Sequence, residues 1–220
     1  MIRQFTSIFG ASWLQGRELL PLLEAYGAKV SGTVIDLGCG HSPFRRYFTH
    51  ATRYVRMDLF PVDDEVIVAD ATNIPADSGS VDAILLGRML GDIPDLPAAF
   101  AEFERVLAPD GKILIYESMS YPQHDLPHDY WRVMPNGLRR LATSAGLDVE
   151  HMQNLGGYFT QIGMHWNQFL LAPLGHYRAL KPLASALRGV GNLTCRALDR
   201  LCPRADLASD YFACLIKPCR

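Results

Sequence analysis

The chain has 220 residues, 49% of them hydrophobic and 20% charged, and a formal net charge of -2. That is enough apolar material for one α/β domain with an elaboration, and it excludes a disordered chain. A near-neutral balance gives no global field for nucleic acid, so no nucleic-acid partner is expected, and no run is long and apolar enough to span a bilayer.

Met1 to Trp13 carries one arginine, no continuous apolar stretch and no cleavage site, so it does not read as a signal peptide. The five cysteines, Cys39, Cys195, Cys202, Cys214 and Cys219, are odd in number and contain no close CxxC pair. They read as reduced thiols of a cytoplasmic protein. From Trp13 to Lys29, Leu14, Leu19, Leu20, Leu22, Leu23 and Tyr26 recur at helical spacing. Gly27 stops that helix, and Pro21 kinks it or starts a second one. Residues 1–32 are therefore read as an N-terminal helical segment.

The chain then organises around Val34-Ile35-Asp36-Leu37-Gly38-Cys39-Gly40-His41-Ser42-Pro43. Thr33 to Leu37 is a buried strand. Gly38 and Gly40 turn the backbone and allow a ligand to approach it, and Pro43 suits the first turn of a helix, expected over Pro43 to Phe48. Asp36 sits at the carboxyl end of the strand, where open α/β sheets bind ligands. A dinucleotide fingerprint needs a third glycine at position 43, where proline stands.

Tyr54 to Asp58 is a second strand ending in an acid. Asp58 follows the glycine turn by roughly 20 residues, the spacing that presents a carboxylate to ribose hydroxyls; a turn-forming role is the alternative. Val66 to Ala69 is a third strand, followed by Asp70-Ala71, where Asp70 could also cap the next turn. Val81 to Leu86 is apolar enough for a central strand buried on both faces, with Asp82 at its amino end, and Gly87-Arg88 leaves it at the ligand edge. Leu96 to Leu107 is a helix with Phe100, Phe103, Val106 and Leu107 on one side. Pro109-Asp110-Gly111 is a turn, and Lys112 to Glu117 a fifth strand.

Asp-Leu-Gly-Cys-Gly, the later acids and the run Phe-Glu-Arg-Val-Leu-Ala-Pro-Asp-Gly-Lys-Ile-Leu-Ile together resemble class I S-adenosylmethionine-dependent methyltransferases, most closely the bacterial type 11 methyltransferase domain. The resemblance covers about Thr33 to Asn154 plus the last strand. It implies an α/β, Rossmann-like fold: a seven-stranded, mostly parallel sheet with an antiparallel last strand. It implies S-adenosyl-L-methionine as cofactor. Asp36, Gly38, Cys39 and Gly40 then serve the methionine end, Asp58 and Leu59 the ribose, Asp70 and Ala71 the adenine, and Gly87 the region near sulfur. Ser42 stands where another glycine is common, and Gly91-Asp92 where many relatives carry Glu-His, so no role tied to that histidine carries over.

After the fifth strand, residues 118–132 crowd titratable and aromatic side chains at the ligand edge. They are read as the wall and lid of a methyl-acceptor site, with His124, His128, Asp129, Tyr130 and Arg132 as catalytic or acceptor-binding candidates. Three readings stand for the histidines: a proton acceptor, a metal site with Asp125 and Asp129, or ordinary loop residues. No metal is expected. Arg132 could hold an anionic acceptor or pair with Asp129. Pro135 to Ala145 is a helix stopped by Gly146, and Leu147 to Leu155 a sixth strand. Tyr211 to Lys217 is the final strand, so residues 33–155 and 208–220 form the core and residues 156–207 a helical insertion.

That insertion has helices over Tyr158 to Leu171 and Leu183 to Leu201. Its cations Arg178, Lys181, Arg188, Arg196, Arg200 and Arg204 outnumber Asp199 and Asp206. A helical cap or homodimer face is the plainer reading, and peripheral contact with the inner face of a membrane the other. The expected activity is methyl transfer to a small-molecule, glycan or lipid-linked acceptor. The alternatives are a non-catalytic S-adenosylmethionine-binding partner protein and an NAD-dependent oxidoreductase.

Overall fold

A computed structural model describes residues 2–124, 126–174, 177–203 and 205–219; Asp125 and Arg204, named above, lie outside them. Two compact units emerge, residues 22–153 with 211–220 and residues 1–21 with 154–210. Helix α1 (Trp13–Gly27) crosses the division at Pro21, which it carries in its interior.

The larger unit is built on a seven-stranded sheet of order β3-β2-β1-β4-β5-β7-β6. Its strands are β1 (Ser31–Leu37), β2 (His50–Asp58), β3 (Val66–Val68), β4 (Val81–Gly87), β5 (Leu107–Ser118), β6 (Asp148–Leu155) and β7 (Asp210–Ile216). Strands β1, β2, β3, β4 and β5 pair in parallel, and β7 runs antiparallel. The expected sheet is thus the observed one. Central β4 buries Ala83, Ile84, Leu85 and Leu86 almost completely, as a strand covered on both faces requires.

Helix α2 (Leu96–Val106) starts where the Asp95 side chain accepts from the Ala98 N–H at 3.0 Å. Its residues Leu96, Ala99, Phe100, Phe103 and Val106 fall on one helical stripe and are buried in the core. Each phenylalanine so buried contributes about 1.5–3 kcal/mol. The chain passes directly from α2 into β5, and the expected turn at Pro109–Gly111 is a bulge inside that strand. Pairing jumps from Val81↔Leu107 to Ala83↔Lys112, and Asp110 takes φ +61°. The bulge is tied to the end of β7: Asp110 N–H donates to Lys217 O and Lys217 N–H to Gly111 O. Helix α3 (Pro135–Ser144) follows, with Gly146 at φ +80° just beyond it.

The expected helix over 43–48 is a single 3-10 segment, Phe44–Tyr47, after which the chain enters β2 at His50. Only six residues separate Pro43 from β2, too few for a packed α-helix and a loop.

The smaller unit contains α4 (Tyr158–His165), which runs through a π-helical stretch, Trp166–Leu171, and α5 (Lys181–Leu201). Polar side chains join its sequence-distant parts. Gln15 donates to the buried carboxylate of Asp210, and Asn192 donates to the carbonyls of Ile8 and Gly10. Residues 1–21 therefore group with the expected insertion, where the sequence reading had one separate segment over 1–32. Among the described residues, no helix is long and apolar enough to cross a membrane.

Candidate functional site

The sheet reverses its winding between β1 and β4, where an open α/β sheet leaves a crevice at the carboxyl ends of its strands. There the chain turns through Gly38 at φ +65° and Gly40 at φ +44°, both left-handed. A Cβ on Gly38 would stand 2.9 Å from the Met89 side chain. One on Gly40 would meet no atom within 4 Å and would project into open space. Arg56 braces the turn: Nη2 donates to Gly40 O at 2.8 Å, and Nη1 pairs with Asp63. Asp58 Oδ2 accepts from Gly40 N–H at 2.8 Å, and its Oδ1 accepts from Phe60 N–H at 3.1 Å.

These elements open a cleft of about 580 Å³. Gly38, Gly40, Asp58, Leu59, Asp70 and Ala71 line it together, joined by Phe60, Arg88, Met89, Asp92, Ile93, Pro94, Leu126 and His128. Asp70 also shapes its own turn, with Oδ1 accepting from the Thr72 N–H and hydroxyl, both at 2.8 Å. Three candidates stand outside the lining. Asp36 is buried behind the turn and accepts from the Tyr54 hydroxyl at 2.8 Å; burial pushes its carboxyl up to about 6. Cys39 is buried, its N–H donates to Met57 O, and burial pushes its thiol up to about 11. Gly87 closes β4.

A second cavity of about 220 Å³ is lined by Arg88, Gly91, Asp92, Glu117, Ser118, Tyr121, His124, Trp131 and Arg132. It shares Arg88 and Asp92 with the first. The Arg88 guanidinium lies 4.9 Å from the Tyr116 ring centre. Glu117, at the end of β5, is only 6% exposed. One of its oxygens accepts from Leu90 N–H at 3.0 Å and the other from Ser118 N–H at 2.9 Å. Burial outweighs these bonds and pushes the carboxyl up to about 7. His124 Nε2 lies 3.9 Å from Asp92 Oδ1 and its Nδ1 3.5 Å from Asp129 Oδ2.

The loop over 119–134 contributes to both cavities and is pinned at several points. Tyr130 and Trp131 N–H groups donate to Gly91 O, and Trp131 Nε1 donates to Ile93 O at 2.9 Å. Arg132 spends all five of its N–H donors inside the loop: Nε on Tyr121 O, Nη1 on Asp129 and Trp131 O, and Nη2 on Pro122 O and Asp129. That leaves none for an anionic acceptor. Asp129 also accepts from His124 N–H at 3.0 Å, and the Arg132 hydrogen bonds hold its carboxyl well below the ordinary range. These two residues clamp the loop. His124 faces the second cavity and His128 the first, where its ring lies 6.3 Å from that of Phe60. Tyr130 lines neither; its hydroxyl is 3.3 Å from His128 Nδ1. Among the described residues, no group of three or more His, Cys, Asp or Glu side chains is placed to hold a metal ion.

Sequence reasoning missed Glu117, Arg88 and Arg56, and it reads Asp92 only as a weak substitute for the family's Glu-His or as a helix cap. The available signal for Glu117 was its place at the carboxyl end of a parallel strand, the one next to β4.

Residues 35–115 match the methyltransferase domain family. An uncharacterised chloroplastic methyltransferase of Arabidopsis thaliana is 31% identical over 104 residues, covering 37% of this chain and 29% of its own. The chain spans less than half the length of the curated relatives it matches. Among solved structures, the cyclase SpnF superposes with a TM-score of 0.63 at 16% identity, over 93% of this chain and 82% of its own. Phosphoethanolamine N-methyltransferase 2 of Haemonchus contortus, in complex with S-adenosyl-L-methionine, gives 0.62 at 19% identity, over 99% of this chain and 57% of its own. At such identities these structures establish the fold, and a cyclase among them shows that this fold alone does not fix the reaction.

Proposed function

We infer that residues 35–115, with their match to the methyltransferase domain family, are the cofactor-binding core of a class I, S-adenosylmethionine-dependent methyltransferase. The acceptor we assign is an oxygen or nitrogen nucleophile on a small or carrier-linked molecule. The observation that carries this reading is the pair of adjoining cavities sharing Arg88 and Asp92.

The larger cleft suits the cofactor by its donor set. Asp58 and Asp70 can accept from ribose hydroxyls and an exocyclic amine, Leu59, Phe60, Ile93 and Leu126 offer apolar surface to a base, and the Gly40 Cα leaves room for a ligand. The buried negative charge of Asp36 favours an ammonium on the far side of the turn. A nicotinamide dinucleotide fits less well. Its pyrophosphate rests on a helix N-terminus, and only a four-residue 3-10 segment follows this glycine turn.

When bound, the cofactor supplies a methyl group already activated on sulfur. The chain has to place an acceptor lone pair in line with it and keep water out. In our reading the second cavity holds the acceptor, the clamped loop covers it, and Glu117 takes the proton that the acceptor sheds as its new bond forms. A carboxyl poised near neutrality suits that exchange. His124, beside Asp92, orients the acceptor or relays the proton.

The test is a turnover screen with labelled methyl donor against small-molecule and carrier-linked acceptors, run on wild type and Glu117→Gln. Because Glu117 acts as the anion, wild-type rate should rise with pH through about 7 and then level. The variant should lose about 10²–10⁴ in kcat and lose that limb, with cofactor affinity kept. A variant with wild-type rate and pH profile would remove Glu117 from the mechanism.

A further inference from the structure

The smaller unit holds a cavity of about 290 Å³ lined by three arginines, Arg17 from α1 and Arg196 and Arg200 one turn apart on α5. Two carboxylates also line it, and both are engaged with other groups. Asp199 accepts from the Phe159 and Thr160 N–H groups and the Thr160 hydroxyl, capping α4, and Glu18 accepts from Gly156 N–H. Among the described residues, none of the three guanidiniums makes an ion pair, and the buried Arg196 Nε has no hydrogen-bond partner. Arg17 and Arg196 both lie over the ring of Trp13, at 5.1 and 5.9 Å from its centre, so two like charges are held by one aromatic ring. Burial, then Arg17 and Arg200, hold the Arg196 pKa below its ordinary value.

Three guanidiniums thus converge on a pocket whose two carboxylates are already engaged by backbone N–H groups and a hydroxyl, which leaves its lining net positive. We propose that this pocket binds a phosphate group, which guanidinium forks match bidentately. The neighbouring surface points to a lipid as its bearer. One exposed stripe of α5, spaced alternately by four and three, is Leu183, Leu187, Val190, Thr194, Ala197 and Leu201, none of them charged. Leu183, Leu187, Val190 and Leu201 are exposed, Leu201 by 77%. An apolar helix face flanked by an arginine pocket complements an anionic bilayer surface, chains against the face and headgroup phosphate in the pocket.

The test uses the full chain and no methyl-transfer readout, so it stands or falls apart from the reading above. Pyrophosphate should raise the melting temperature of wild type more than chloride at equal ionic strength, and Arg196→Gln/Arg200→Gln should abolish the difference. Without added anion that variant should melt no lower than wild type, since it relieves repulsion. Vesicles containing phosphatidylglycerol should sediment the wild type, pure phosphatidylcholine vesicles should not, and the arginine variant should bind at least about tenfold more weakly. Leu187→Ser/Val190→Ser should lose vesicle binding and keep the pyrophosphate shift. A pyrophosphate shift without vesicle binding would uphold the pocket and assign it to a soluble phosphate compound. Equal responses of wild type and arginine variant to both probes would overturn the proposal.

Discussion

Asp36 shows what a buried carboxylate costs the fold. Buried behind the glycine turn, its carboxyl is pushed up to about 6 from 3.8. Between those values the folded chain holds a proton that the unfolded chain releases. Stability therefore falls as pH rises from about 4 to about 6 and stays lower above, by about 3 kcal/mol. Asp36→Asn keeps an acceptor for the Tyr54 hydroxyl and removes the buried charge. Urea denaturation of the ligand-free protein should find the variant more stable at pH 8, with the gap closing toward pH 4; a variant less stable at both would refute the account. The same substitution should weaken cofactor binding. Asp58 and Asp70, which line the cleft, were legible because one ends and the other closely follows a strand that the apolar pattern marks, whereas Asp36, within its strand, stands outside the lining. Glu117 and Arg88 were not: Arg88 is singled out by lining both cavities, and Glu117 by its burial in the wall of the smaller one. Asp92 reads in sequence as a weak substitute for the family's Glu-His or as a helix cap, and His124 comes within 3.9 Å of it from a different loop.

At the scale of elements, strands and helices followed from periodicity, and the departures have local causes. The turn at Pro109–Gly111 became a strand bulge because β7 offers it hydrogen bonds from the distant Lys217. The loop over 119–134 has no periodicity to read, and its order comes from Arg132. A lysine there has three donors in place of five and no planar fork. Arg132→Lys should therefore loosen the loop: faster limited proteolysis within it, a several-fold higher KM for acceptor, and cofactor affinity unchanged. Equal loss of cofactor affinity would show that the clamp serves the larger cleft instead.

Across the whole molecule, the seven-stranded, mostly parallel sheet with its antiparallel last strand was legible, and the strand order and the division into units were not. The sheet type followed from the family resemblance, with which the alternation of strands and helices agrees. Within the smaller unit, polar contacts such as Gln15 with Asp210 and Asn192 with Ile8 obey no period and join residues nearly two hundred positions apart. The larger unit carries both cavities, so the account depends on one nucleoside cradle at the switch point of its sheet. The direct measurement is calorimetric titration with S-adenosylhomocysteine of wild type, Asp58→Ala and Gly40→Val. The account expects one site per chain in the wild type, weakened by about tenfold or more in Asp58→Ala and blocked in Gly40→Val, whose side chain would occupy the cleft. Wild-type titration without heat, or equal affinity in all three proteins, would contradict it.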